Sequence, residues 1–166
     1  ILCAVAASML LSCDVSAMTQ VLATFGGVRH RTQFVREWQG RRIYNDSKAT
    51  NCLATKSAIE AFDAPLVLLA GGLDRGHSFE ELREAMKNVR VSISFGETGM
   101  RFAEFAKSCG VEEAIVAVNV EDAAAYARKI SQAGDVVLLS PACASWDQYE
   151  SFEVRGDLFI EAVMKF

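Results

Sequence analysis

Three short segments of this chain gather residue types that handle anions. The first, Asn45-Asp46-Ser47-Lys48-Ala49-Thr50-Asn51, is a polar run with one cation set just ahead of a helical pattern. Helix-start amides, a lysine and hydroxyls together make a cradle for an oxyanion or phosphate; the same Ser, Thr and Asn content also serves as an ordinary helix N-cap. Lys48 adds weight to the first reading, because a cation at the positive end of a helix dipole is locally unfavourable and calls for an anion. The second segment, Gly71-Gly72-Leu73-Asp74-Arg75-Gly76-His77, sets glycines around an Asp and an Arg. Glycines let a backbone approach a ligand closely, and Arg75 can hold a carboxylate through two parallel hydrogen bonds, while a tight turn explains the glycines equally well. It is not the G-x-G-x-x-G dinucleotide fingerprint. In the third segment, Ser140-Pro141-Ala142-Cys143-Ala144-Ser145-Trp146-Asp147, small residues precede an aromatic. That order describes a snug pocket wall or close strand–helix packing.

The elements that must position these segments follow from the apolar pattern. Runs at 65–71, 89–96, 112–118 and 134–140 are nearly continuous Val, Ile and Leu, as parallel strands buried on both faces require. Helical patterns follow them at 78–88, 98–108, 121–132 and 151–165, and another spans 51–62. TQFVREWQ and RRIYN, separated by Gly40, suggest a hairpin ahead of them. Repeated β-α units with short loops predict an α/β fold, a Rossmann-like, mostly parallel sheet with flanking helices. Ligands of such sheets bind outside the carboxyl ends of the strands, which is where all three polar segments fall. Ahead of the hairpin, residues 1–12 read as a buried apolar helix, with a secretion signal as the alternative. Asp14 caps a second helix whose Val15, Met18, Leu22 and Phe25 make an apolar stripe, ended by Gly26-Gly27.

Composition bounds the possibilities. With 166 residues, 51% hydrophobic and 23% charged, the chain can bury a substantial core and lacks the polar bias of disorder. A net charge of −4 does not favour a nucleic acid partner, so an anion site must be a local cluster of Arg and Lys. The five cysteines are irregularly spaced with no C-x-x-C pair, and the histidines are His30 and His77. Zinc or disulfide scaffolds do not fit, no metal site is expected, and all five thiols read as small buried hydrophobes in a reducing cytoplasm. The apolar start, ending at Ser12, falls short of the roughly 20 residues needed to cross a bilayer, so no membrane partner is expected.

Taken in order, the three segments, with Gly27-Val28-Arg29-His30-Arg31 before them and Phe152-Glu153-Val154-Arg155-Gly156-Asp157 after, closely resemble the Mur ligases, and within that family the members that add D-glutamate. The resemblance spans the whole chain and is most specific in the Asn45–Asn51 and Ser140–Gln148 pair. It implies a cytoplasmic step of bacterial peptidoglycan synthesis. It further implies that residues 1–27 are the last helices of a central ATPase domain and 28–166 a complete C-terminal domain. No G-x-x-x-x-G-K-[ST] occurs in the sequence; the phosphate cradle and the Mg2+ ligands are therefore expected in the central domain, and this stretch alone is expected to be inactive.

The reaction implied is ATP-dependent amide formation. The carboxylate of UDP-N-acetylmuramoyl-L-alanine takes the γ-phosphoryl group, and the amine of D-glutamate attacks the acyl phosphate. By similarity, Arg31 and Asp46 face ATP, Arg31 suited to phosphate and Asp46 to ribose hydroxyls. Lys48 sits near both ATP and D-glutamate, and Arg31 and Lys48 are the catalytic candidates. Thr50, Arg75, Ser145 and Phe152 match positions that hold D-glutamate. Many relatives carry Lys where this chain has Arg75, which keeps the charge and changes a point contact to a fork. A neighbouring Mur ligase, a folylpolyglutamate synthase or a non-catalytic Rossmann-like module are the alternatives. A receiver would need an acidic pair beside a phosphoacceptor Asp, which Asp46 and Asp74 do not supply. Finally, an apolar first helix separated from its core predicts either a non-physiological dimer through residues 1–25 or poor order there.

Overall fold

The computed structural model describes residues 2–166; Ile1, the first residue of the expected N-terminal helix, lies outside the described residues. The sheet contains β1 (Gln33–Trp38), β2 (Arg41–Asn45), β3 (Leu66–Gly71), β4 (Val89–Phe95), β5 (Glu113–Val116) and β6 (Val136–Leu139). Their order is β1-β2-β6-β3-β4-β5. Only β1 runs antiparallel, paired with β2 in the expected hairpin; the other neighbours are parallel. Because side chains alternate along a strand, the two faces of β3 feed two cores. Leu66, Leu68 and Ala70 pack with Ile59, Phe79, Leu82, Met86 and Phe102 on one side. Val67 and Leu69 pack with Ile93, Val120, Ala124 and Phe159 on the other. α3 (Cys52–Ile59) and α4 (Gly99–Ser108) cover the first face, and α5 (Val120–Ile130) and α6 (Phe152–Met164) the second. The α/β reading thus holds as an α-β-α sandwich.

Three expectations need correction. The pattern at 78–88 forms two 3₁₀ turns, Glu80–Leu82 and Ala85–Asn88, in place of one α-helix. Phe79, Leu82 and Ala85 are all buried at strict three-residue spacing, and a 3₁₀ helix is what stacks i and i+3 on one line. The run at 112–118 supplies only Glu113–Val116, and because β5 is the edge strand its ends reach solvent instead of being buried on both faces. The helix placed at 1–12 is α1 (Leu2–Leu10), followed by α2 (Val15–Thr24); Asp14 caps α2 by accepting from the Ala17 N–H, as expected. Neither helix has a buried residue. An apolar helix buries its surface only where another element covers it, and the sheet's helical layers are already complete without these two.

The strand order is what builds the site. β6 inserts between β2 and β3, so the loops that follow these strands emerge side by side. Backbone bonds knit them together: Asp46 N–H donates to the Leu139 carbonyl at 2.7 Å, Gly71 N–H to Pro141 at 2.8 Å, and Leu73 N–H to Ala144 at 2.9 Å. Gly72, with φ at +143°, is required here, since a Cβ would overlap the Ala144 carbonyl oxygen.

Candidate functional site

A cavity of about 400 Å3 opens at the carboxyl ends of β2, β6 and β3. Arg31, Lys48, Thr50, Arg75, Ser145 and Phe152 line it, joined by Asn51 and Trp146. Six of the seven side chains singled out from sequence therefore meet around one space. Among the described residues no Asp or Glu lines it, and none of its three cations takes part in an ion pair. Two are held by aromatic rings. The Lys48 ammonium lies 4.0 Å from the centroid of Phe152, and the Arg75 guanidinium 4.9 Å from that of Trp146. A ring face attracts a cation without neutralising it, so the charge is left for a bound anion. Asn51 caps α3, its side chain accepting from the Ala54 N–H at 2.9 Å. The N-cap reading of the first polar segment thus holds at Asn51, with Lys48 of the same segment lining the cavity beside it.

Asp46 is the one singled-out residue outside the cavity. Its carboxylate is buried, with one oxygen accepting from the Thr32 N–H at 3.0 Å and the other from the Ser140 hydroxyl at 2.8 Å. Burial pushes its carboxyl up from the usual range, and the Thr32 amide, the Ser140 hydroxyl and the Arg31 charge act against that rise. In this arrangement Asp46 ties the Arg31 loop to the loop after β6.

Beneath the cavity the wall is a buried polar network. Arg155, fully buried in α6, donates from Nε to the Ser47 hydroxyl at 3.0 Å, from Nη2 to the Ser47 carbonyl at 2.8 Å and from Nη1 to the Cys143 carbonyl at 3.1 Å. It therefore clasps the residue before Lys48 to the loop carrying Ser145. Burial lowers its pKa to about 10, and the guanidinium stays charged at neutral pH. The Ser47 hydroxyl in turn donates to the Phe152 carbonyl at 2.8 Å. Asn45 accepts from the Ser47 N–H through Oδ1 and donates through Nδ2 to the Gly156 carbonyl and to His30 Nδ1. The His30 carbonyl accepts the Lys48 N–H at 3.1 Å.

Sequence reasoning did not single out Arg155 or His30 as site residues. For Arg155 a signal existed: it occupies the buried face of α6 with Phe159 and Val163, at helical spacing, and an arginine at such a position must have buried acceptors. His30 carried none, because its burial depends on the partners that the fold brings to it. The cysteines correct one expectation. Cys52 and Cys143 are buried, and burial raises both thiols, Cys52 to about 11. Cys3 and Cys13 are instead exposed and Cys109 half-buried. Among the described residues no three His, Cys, Asp or Glu side chains cluster as a metal-binding group.

Residues 30–143 match the family model described as "Mur ligase, glutamate ligase domain". The chain is 53% identical over 166 residues to UDP-N-acetylmuramoylalanine--D-glutamate ligase of Geobacillus kaustophilus, an alignment that covers 99% of this chain and 37% of that protein. Against the Listeria monocytogenes protein of the same name it is 54% identical over 163 residues, covering 98% and 36%. The chain thus spans little more than a third of the length of these relatives. Among solved structures it is similar to UDP-N-acetylmuramate-alanine ligase MurC of Thermotoga maritima, with a TM-score of 0.66 at 14% identity over 97% of this chain and 36% of that one. It is also similar to MurF ligase of the same organism in complex with ADP, with a TM-score of 0.61 at 20% identity over 96% and 36%. At those identities the likeness is one of fold.

Proposed function

Because this chain belongs to the Mur ligase glutamate ligase domain family, we propose that it is the amino-acid-binding portion of an ATP-dependent ligase that joins D-glutamate to UDP-N-acetylmuramoyl-L-alanine in peptidoglycan synthesis. The observation that carries the reading is the cavity with three cations, no lining carboxylate and aromatic supports for two of those cations. A dicarboxylic amino acid is the kind of substrate such a cavity selects. The sequence identity to D-glutamate ligases supports that choice within the family.

In this proposal residues 28–166 act as the C-terminal domain and residues 1–27 belong to a central ATPase domain. The phosphate cradle and the Mg2+ that accompanies ATP belong to that remaining part. Arg31 offers a guanidinium to the nucleotide phosphates. Lys48 sits between the phosphoryl group and the acceptor, where its charge offsets the negative charge that develops as the amine attacks the acyl phosphate. Thr50, Arg75, Ser145 and Phe152 hold D-glutamate, the two hydroxyls and the guanidinium offering donors to its carboxylates, and set the direction of its amine. Asp46 acts through the loop it fixes, and each of its oxygens, bonded once to Thr32 or Ser140, keeps a second lone pair to offer a ribose hydroxyl. The place of action is the cytoplasm, where these substrates are made.

The test is kinetic and uses the intact ligase. Arg75→Ala is expected to raise the KM for D-glutamate by roughly ten- to a hundredfold, as the loss of a charged hydrogen bond worth about 1.5–3 kcal/mol requires. The KM for ATP should change far less. Equal changes for both substrates would mean that Arg75 merely shapes its loop, and phosphate release independent of D-glutamate would overturn the reading.

A further inference from the structure

We infer that Trp146 is a positioning residue for Arg75. The inference rests on the D-glutamate reading above and adds to it the residue that sets how an acceptor carboxylate is gripped. Trp146 is 65% exposed, so its ring adds little to the core. Yet the turn that carries it is fixed: the Gln148 and Tyr149 N–H groups both donate to the Ser145 carbonyl, at 3.1 and 2.8 Å. The Asp147 carboxylate accepts from the Glu97 N–H at 3.0 Å. A large ring held on a rigid turn and left outside the core is there for a neighbour or a ligand, and the neighbour is Arg75.

The nearby acids leave that pairing alone. Asp74 accepts from Arg101 at 2.7 Å and from the Gly76 N–H at 2.8 Å, and Glu97 accepts from the Asp74 N–H at 3.0 Å. Arg75 is thus ordered by a ring and by no carboxylate. An aromatic face suits arginine in particular. A guanidinium can stack flat and keep its N–H groups, which lie in its own plane, free for a carboxylate. An ammonium over the same ring keeps its charge but spends at least one of its three donors on the ring face and presents no planar fork. Trp146 orders the cation, and the carboxylate meets a fork already in place, so less ordering entropy opposes binding.

The test again uses the intact ligase, beginning with D-glutamate-dependent phosphate release by the unmodified enzyme. No such release would overturn the functional reading and this inference with it; release with the outcomes below separates the two. Trp146→Leu is expected to raise the KM for D-glutamate about two- to fivefold, the range that an exposed cation–π contact supports. The KM for ATP should move by less than about twofold, and Trp146→Phe should recover most of the loss. In an Arg75→Lys background the same Trp146→Leu change is expected to add less than about twofold, because the stack it removes is specific to a guanidinium. Equal increases in both backgrounds would show that the indole meets the substrate directly, and no increase would show that the stack is incidental; either overturns the inference. In the intact ligase the emission of Trp146 is the difference between the unmodified enzyme and its Trp146→Phe variant. D-glutamate should change that emission with Arg75 present and change it less with Arg75→Lys, and an equal change in both would also overturn the pairing.

Discussion

His30 holds a left-handed backbone, with φ at +60°, and a buried ring whose Nδ1 lies 2.9 Å from Asn45 Nδ2. The other bonds of Asn45 fix its amide so that Nδ2 is the donor, which makes His30 Nδ1 the acceptor and leaves the ring proton on Nε2. Protonating Nδ1 would break that bond, and burial lowers the His30 pKa from its usual 6.5, with Arg29 and Lys48 acting in the same direction and Asp157 and Glu153 against it. Between the lowered folded value and 6.5 the unfolded chain binds more protons than the folded one. The contribution of His30 to stability is therefore complete above about pH 6.5 and is lost as pH falls towards the folded value. Proton NMR should show the two imidazoles separately, with His77→Gln assigning the remaining signal to His30. The expected midpoint is below 6.5; one at or above it would contradict the buried neutral ring. A neighbouring contact makes the same loop intolerant of bulk, since a Cβ on Gly156 would overlap His30 Nδ1. None of this was legible from sequence, where His30 was simply part of a matching segment. The six cavity residues were legible because their loops are local stretches of polar, glycine-rich sequence, whereas Arg155 is defined by Ser47, 108 residues away, and the burial of His30 by Asn45 and by Gly156 of α6 packed against its ring.

α3 is short, and its first turn faces the cavity, so its cap has both a structural and a positional effect. Asn51→Ala removes the acceptor of the Ala54 N–H, which costs about 1 kcal/mol in comparable caps. For a domain of this size the melting temperature should fall by roughly 2–4 °C. Calorimetry of the chain with and without the change measures this, and an unchanged midpoint would mean that water replaces the cap at no cost. Elements with strong periodicity could be read directly: β3 opens on Leu-Val-Leu-Leu, β6 is Val-Val-Leu-Leu, and α5 and α6 show one buried stripe each. The segment at 78–88 misled because its apolar residues fit a three-residue and a 3.6-residue repeat almost equally well over so short a span. The covering layer chose the tighter turn, with Arg83 bonded bidentately to Glu80 and to the Ser108 carbonyl. The strand order was not readable either, since the apolar run of β6 says nothing about which two neighbours it will separate.

At the scale of the whole molecule, α1, α2 and the turn between them leave Leu2, Leu10, Leu11 and Val15 largely exposed, and a shallow apolar groove runs between the two helices. Exposed apolar area of this kind favours self-association. Light scattering of this chain beside one beginning at Val28 should show a larger mass for the former; identical monomers of equal solubility would refute the argument. The position of β6 has a different consequence, one that concerns time. The strand that joins the hairpin to β3 is the last of the six to leave the ribosome. Until it arrives, β2 and β3 have no common neighbour. The hairpin and the β3-β4-β5 unit must wait as separate pieces with open edges, exposed to the wrong partner. The three loops of the cavity come into register only when β6 slots in, so a nascent chain halted before residue 136 would hold Lys48 and Arg75 and still have no site for them to share.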